Sequence, residues 1–129
     1  MNELHVFSEL HKFLNGLGRM SVTLAAKSLT LGYKPFLFGG GVPKFATLYG
    51  EKRYNCLILH VDPGNQESLK GKIIQKEIQA LLHFDIKEIR SFPLKKHEVY
   101  IPFEVIHNKE KMELLKHFIR KQYEIIVNR

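Results

Sequence analysis

Apolar residues in the first part of the chain recur at intervals of three and four, at Leu4, Phe7, Leu10, Phe13, Leu14 and Leu17. That is the spacing of one buried stripe on a helix. Asn2 ahead of it is a capable N-cap, Glu3 puts an acid in the first turn, and Gly16 and Gly18 end it. After Arg19 the period changes, because Ser21-Val22-Thr23-Leu24 alternates polar and apolar residues and predicts a first strand. Leu29-Thr30-Leu31 continues that strand or begins another, and Gly32-Tyr33-Lys34-Pro35 punctuates the passage into Phe36-Leu37-Phe38. Residues 44–49 and 54–61, joined by Gly50-Glu51-Lys52-Arg53, predict an antiparallel hairpin. The second of these strands is apolar on both faces around Cys56-Leu57-Ile58-Leu59, which places it centrally in the sheet. Asp62-Pro63-Gly64-Asn65 stops it.

The second half mixes the two periods. Ile73, Ile74, Ile78, Leu81 and Leu82 predict an amphipathic helix of about three turns after the breaker Gly71, closed by His83-Phe84-Asp85. Ile86 to Phe92 and Glu98 to Ile101 each read as a short strand, divided by Pro93-Leu94-Lys95-Lys96, and Pro102 ends the latter. From the N-cap candidate Asn108 a last helix runs towards Val127, with Met112, Leu115, Ile119, Tyr123 and Ile126 as its stripe and Leu114, Phe118 and Ile125 widening it. The order predicts one α+β domain over residues 1–129, an antiparallel sheet packed by an N-terminal, a central and a C-terminal helix. The stripes Leu4/Phe7/Leu14 and Met112/Leu115/Ile119/Ile126 are expected to bury against a sheet whose central members contain residues 45–49 and 57–59.

Composition narrows the class further. With 44% hydrophobic and 26% charged residues in 129, the chain is globular, and its longest apolar runs fall far short of the ~20 residues that span a bilayer. Residues 1–6 lack the basic segment, apolar stretch and cleavage site of a secretory signal, so a cytoplasmic location is expected. Cys56 is the lone cysteine, which excludes an internal disulfide and a Cys-rich zinc site. Twenty Lys and Arg against thirteen Asp and Glu give a net charge of +7 and a pI near 9.5, which points to nucleic acid or another acidic surface as partner. The charge is spread over both halves with no basic arm. Lys44, with Lys52 and Arg53 in one strand-linking turn and Lys95 and Lys96 in another, are the candidate phosphate contacts, and convergence of the two turns on one side of the sheet would join four of them.

Other constellations are less suited to chemistry. Gly39-Gly40-Gly41-Val42-Pro43-Lys44 has glycines and a lysine but lacks the Gly-Lys-Ser/Thr ending that opens a helix on a phosphate, so it reads as a turn. The seven histidines share no metal-ligand spacing; His60, at a strand end beside Asp62, is the one placed to join a site. No metal or cofactor is expected. Asp62 at a strand end, with Asp85-Ile86-Lys87 further on, has the two carboxylates and a cation of a metal-dependent nuclease. Cys56 lies in an apolar strand, where a thiol is an inert small hydrophobe, and no serine sits in a Gly-x-Ser-x-Gly elbow.

Phe45-Ala46-Thr47-Leu48-Tyr49, the hairpin into Leu57-Ile58-Leu59 and the ending Glu113 to Val127 resemble the central strands and last helix of the small MmcQ/YjbR-like family. The resemblance covers residues 36–62 and 98–127; the tryptophan that usually precedes the family's final strand is missing. It implies a compact α+β domain and a DNA-binding role with no established catalytic centre. The sequence as a whole therefore predicts a non-catalytic binding module with a nucleic acid or another acidic surface as its preferred partner. The alternatives are a protein-interaction module and a nuclease using Asp62, Asp85 and Lys87.

Overall fold

A computed structural model describes residues 2–25, 28–36, 44–51, 54–89 and 95–128, with Tyr54 through its backbone only. Helix α1 spans Glu3–Asn15, and the side chain of Asn2 caps it by accepting the His5 N–H at 2.8 Å. Among the described residues five strands follow that helix: β1 (Met20–Leu24), β2 (Thr30–Pro35), β3 (Ala46–Glu51), β4 (Tyr54–His60) and β5 (Glu98–Pro102). They form one sheet in the order β1-β2-β3-β4-β5, antiparallel throughout. Between β4 and β5 lie α2 (Lys70–Leu82) and the four-residue α3 (Ile86–Ile89); a 3-10 turn over Phe103–Val105 leads from β5 to α4 (Lys109–Val127). The architecture is α+β, with helices at the start, middle and end of the chain.

Strand alternation divides the sheet into two faces. Leu48, Leu57, Leu59, Val99 and Ile101 share the main core with Val6, Leu10 and Leu14 of α1 and with Met112, Leu115, Phe118, Ile119 and Ile126 of α4, all buried. The α4 stripe follows its spacing at Met112, Leu115, Phe118, Ile119 and Ile126, with Leu114 and Tyr123 partly buried beside it, but Ile125, expected to widen it, is 52% exposed. The α1 stripe is rotated: Val6, Leu10 and Leu14 form the buried row at i, i+4, i+8, and Leu4 is 74% exposed. On the other face Cys56, Ile58 and Tyr100 pack with Ile86 of α3 in a smaller cluster, so the thiol is a buried hydrophobe as expected.

Residues 86–89 are helix where the sequence predicts strand, because Asp85 starts a turn there. Its side-chain oxygen accepts the Lys87 N–H at 3.0 Å and its carbonyl the Glu88 N–H at 3.1 Å. Residues 90–92 of that expected strand, the glycine-rich turn at 39–41 and the Leu37-Phe38 pair lie outside the described residues. Gly71 is no breaker either. It sits in the first turn of α2, on the face turned to β5, where an added Cβ would fall on the backbone N of Glu98 and the carbonyl oxygen of Lys96. Glycine lets the helix axis approach the strand.

That approach closes the outer edge of β5. The Lys72 N–H donates to the Lys96 carbonyl at 3.1 Å. One turn on, the Gln75 side-chain amide takes both hydrogen bonds a neighbouring strand would make: its N–H donates to the Tyr100 carbonyl at 2.9 Å and its oxygen accepts the Tyr100 N–H at 2.7 Å. Gln75 is buried for this reason, and the apolar Ile73 beside it is 60% exposed. The far end of α2 is held to α4, since Lys111 Nζ donates to the carbonyl of Leu82 at 2.7 Å.

Candidate anion-binding cleft

The polar side chains of the smaller face concentrate where β4 ends and β5 begins. His60 and Glu98 are directly opposed in the register, and His60 Nδ1 lies 2.7 Å from Glu98 Oε2. The other imidazole nitrogen lies 2.8 Å from Thr47 Oγ1 on β3, and the Tyr100 hydroxyl donates to Glu98 Oε1 at 3.0 Å. The hydrogen bond with His60 holds the Glu98 carboxyl below its ordinary value of 4.5; burial opposes this, and the Tyr100 hydroxyl and Lys95 assist it. Hydroxyl, imidazole and carboxylate in a row are also the parts of a nucleophilic triad. Thr47, however, is only 4% exposed and unreachable for substrate, so the row acts as a polar tie across three strands.

Beside this tie, a cleft of about 440 Å³ opens between α2, α3 and the start of β5. Gly71, Gln75 and Ile86 contribute to its walls. Its charged lining comes from three places. Lys72 and Lys76, at i and i+4, share one face of α2; Lys87 comes from α3; Lys95 precedes β5. Lys72, Lys76 and Lys87 make no ion pair among the described residues, and Lys95 reaches Glu98 only at 4.0 Å. Two carboxylates line the same cleft, Asp85 and Glu98, and one is already engaged with His60. The concentration is a property of this stretch of chain: from Lys70 to Lys96 there are seven Lys and Arg against three Asp and Glu, a net +4 out of the total +7. Several unpaired ammonium groups over one concavity raise the local potential and favour an anionic ligand.

Of the candidate phosphate contacts read from the sequence, Lys95 is at this cleft. Lys96 is next to it, 3.9 Å from Glu67 across an exposed contact. Lys44 is not, because its side chain lies over Gly32 of β2, on the side of β3 away from β5. Lys52 and Arg53 lie outside the described residues. Of the described residues, Glu51 pairs with Tyr54 at one end of β4 and Glu98 with His60 at the other. Six residue steps at ~3.4 Å put those two ends of β4 about 20 Å apart, and the expected convergence of Lys52 and Arg53 with Lys95 and Lys96 lies outside the described residues.

The nuclease constellation is divided as well. Asp85 and Lys87 line the cleft and Asp62 does not; Asp62 belongs to the turn after β4, where its carbonyl accepts the Asn65 N–H at 3.2 Å. Among the described residues no group of three or more His, Cys, Asp or Glu side chains is arranged to hold a metal ion.

The residues missed by sequence reading are Lys72, Lys76, Gln75 and Gly71. Lysines at i and i+4 were a usable signal, but a glutamine that completes a sheet edge has none in hydropathy. Among the described residues no helix is long and apolar enough to cross a membrane. Compared with known proteins, the chain matches no family model, no curated protein and no solved structure.

Proposed function

We propose that the chain is a non-catalytic binding module for nucleic acid that seats the phosphate backbone on the lysines of the α2–α3–β5 cleft. The observation that carries this reading is that Lys72, Lys76, Lys87 and Lys95 line one cleft, three of them without an ion pair among the described residues. Ammonium groups contact phosphates as point charges, so such a surface positions a polyanion without reading its bases. An MmcQ/YjbR-like character, with the DNA-binding role it implies, is compatible with the α+β architecture and belongs to the same proposal.

Fluorescence anisotropy with labelled duplex DNA over a series of salt concentrations tests it. Four phosphate contacts give a log–log salt slope of about −3 to −4, at roughly −0.9 per neutralised phosphate. The double change Lys72→Ala, Lys76→Ala should shallow the slope by about 2 and weaken different sequences alike. Absence of binding at low salt, or a slope untouched by that change, would overturn the reading.

A further inference from the structure

The opposite edge of the sheet carries an independent inference. In an antiparallel strand each residue turns its N–H and C=O to the same side, and successive residues alternate. The carbonyl of Arg19 accepts the Phe36 N–H at 2.9 Å and the Ala25 N–H donates to Thr30 at 3.0 Å, so residues 19, 21, 23 and 25 face β2. Met20, Val22 and Leu24 therefore turn both backbone groups outward, where no partner meets them among the described residues. Natural sheets guard such an edge with a lysine, a proline, a bulge or a covering element. Met20-Ser21-Val22-Thr23-Leu24 contains no charge and no proline, and its pairing with β2 is unbroken.

We propose that β1 pairs with β1 of a second copy of this chain, antiparallel about a two-fold axis at Val22. This register sets Val22 on Val22 and Met20 on Leu24, so every outward N–H and C=O of the three residues finds a partner. Side chains agree with it. Ser21 meets Thr23 on one face and apolar meets apolar on the other, because the row apolar, hydroxyl, apolar, hydroxyl, apolar reads the same from either end. Two copies at +7 repel each other in general, and the five residues of β1 offer them a charge-free contact; the nearest charges flank it, Arg19 one residue before the strand and Lys34 one strand inward across from Ser21. Leu24, 61% exposed, lies on the same sheet face as the partly buried Met20 and Val22, and pairing covers it. A contact confined to five residues is small beside a standard interface, so the dimer forms reversibly with concentration.

Sedimentation and amide exchange by NMR, each at micromolar and at millimolar protein, test this pairing. The expected result is a mass rising from monomer towards dimer, with the Met20, Val22 and Leu24 amides gaining about tenfold or more protection only in the concentrated sample, while Ser21 and Thr23 are protected in both. Val22→Pro removes an outward N–H and leaves the β2 ladder intact, so it should abolish the dimer with the fold retained by circular dichroism. Should that variant fail to fold, Thr23→Lys, a change at an exposed side chain, should weaken association at least as clearly. A monomer at every concentration, a dimer whose Met20, Val22 and Leu24 amides stay unprotected, or a dimer of undiminished strength in the folded variant would each overturn the proposal.

Discussion

The two edges of this sheet present the same physical problem and are treated differently. At β5 a helix lies against the strand, a glycine removes the side chain that would hold it off, and the Gln75 amide supplies the donor and acceptor of an absent sixth strand. At β1 the outward groups of Met20, Val22 and Leu24 meet no partner among the described residues. Covering the β5 edge also has a consequence for function. The docking that buries Gly71 and Gln75 sets Lys72 and Lys76 beside Lys95 and Lys87, so the cationic cleft exists because the edge is closed. Edge protection and the cationic cleft use neighbouring rows of one helix, Gly71 with Gln75 and Lys72 with Lys76.

The largest effect is expected where the closed edge is cut at its polar clamp. Gln75→Ala removes the side-chain amide that pairs with both the N–H and the carbonyl of Tyr100, and a buried backbone group that loses its partner costs about 1–3 kcal/mol. Urea unfolding should show a loss of about 2–4 kcal/mol, and a loss below half a kcal/mol would mean that water reaches the β5 edge and that the clamp contributes little.

Gly71→Ala acts on the same contact by crowding. The methyl group meets backbone on both Glu98 and Lys96, which cannot rotate aside as a side chain end can. A cost of about 1–3 kcal/mol is expected from overpacking, together with weaker DNA binding, because α2 must move off the strand and carries Lys72 and Lys76 with it. Unchanged stability would show that the helix can shift freely, and the closed edge would then be a loose one.

A smaller effect comes from the polar tie at the start of β5. The Glu98 carboxyl is held below 4.5, first by its hydrogen bond with His60. A carboxyl whose value is lower in the folded than in the unfolded chain adds stability in full above the unfolded value, and that stability fades as the pH falls through the depressed folded one. Stability measured from neutral pH into the acid range should therefore drop below about pH 4.5, and Glu98→Gln should flatten that acid limb. An acid limb of equal depth in the variant would assign it to other carboxylates.

How far these features were visible in the sequence depends on what each requires. The α4 stripe was legible, since Met112, Leu115, Ile119 and Ile126 fall on one face and exposed Lys and Glu occupy the opposite one. The α1 stripe was ambiguous in phase: with Leu4, Phe7, Leu10, Phe13, Leu14 and Leu17 all apolar, only contact with the sheet selects Val6, Leu10 and Leu14. In α2 hydropathy was right at Ile78 and Leu82 and wrong nearer the start, because Gln75 is buried by backbone hydrogen bonds and Ile73 is left out beside the cleft. A four-residue helix nucleated by Asp85 has the same apolar spacing, Ile86 and Ile89, that a short strand can show. The lysines were individually visible, but which of them meet depends on the register of β4 with β5 and on a helix docked between them in sequence.

The smallest effect on stability, and the sharpest test of the contrast, is Thr23→Lys at the open edge. Thr23 is exposed and its side chain leaves the main core untouched, so the monomer should change by no more than about half a kcal/mol, the range of ordinary surface substitutions. Association should respond all the same. In the two-fold register residue 23 stands opposite Ser21 of the second copy, and Ser21 is flanked by Lys34 on β2. The new ammonium group would sit two strand spacings, about 10 Å, from another, within a Debye length at moderate salt. Lysine on an edge strand is also a common means by which natural sheets avoid pairing, so the substitution gives β1 by charge the protection that α2 gives β5 by contact. Equal melting temperatures for the two proteins at low concentration, with the dimer weakened in the variant, are the expected pair of results. A stability loss of 2 kcal/mol or more, the order seen when a side chain is buried, would instead mean that Thr23 is covered in the monomer and that the two edges are alike.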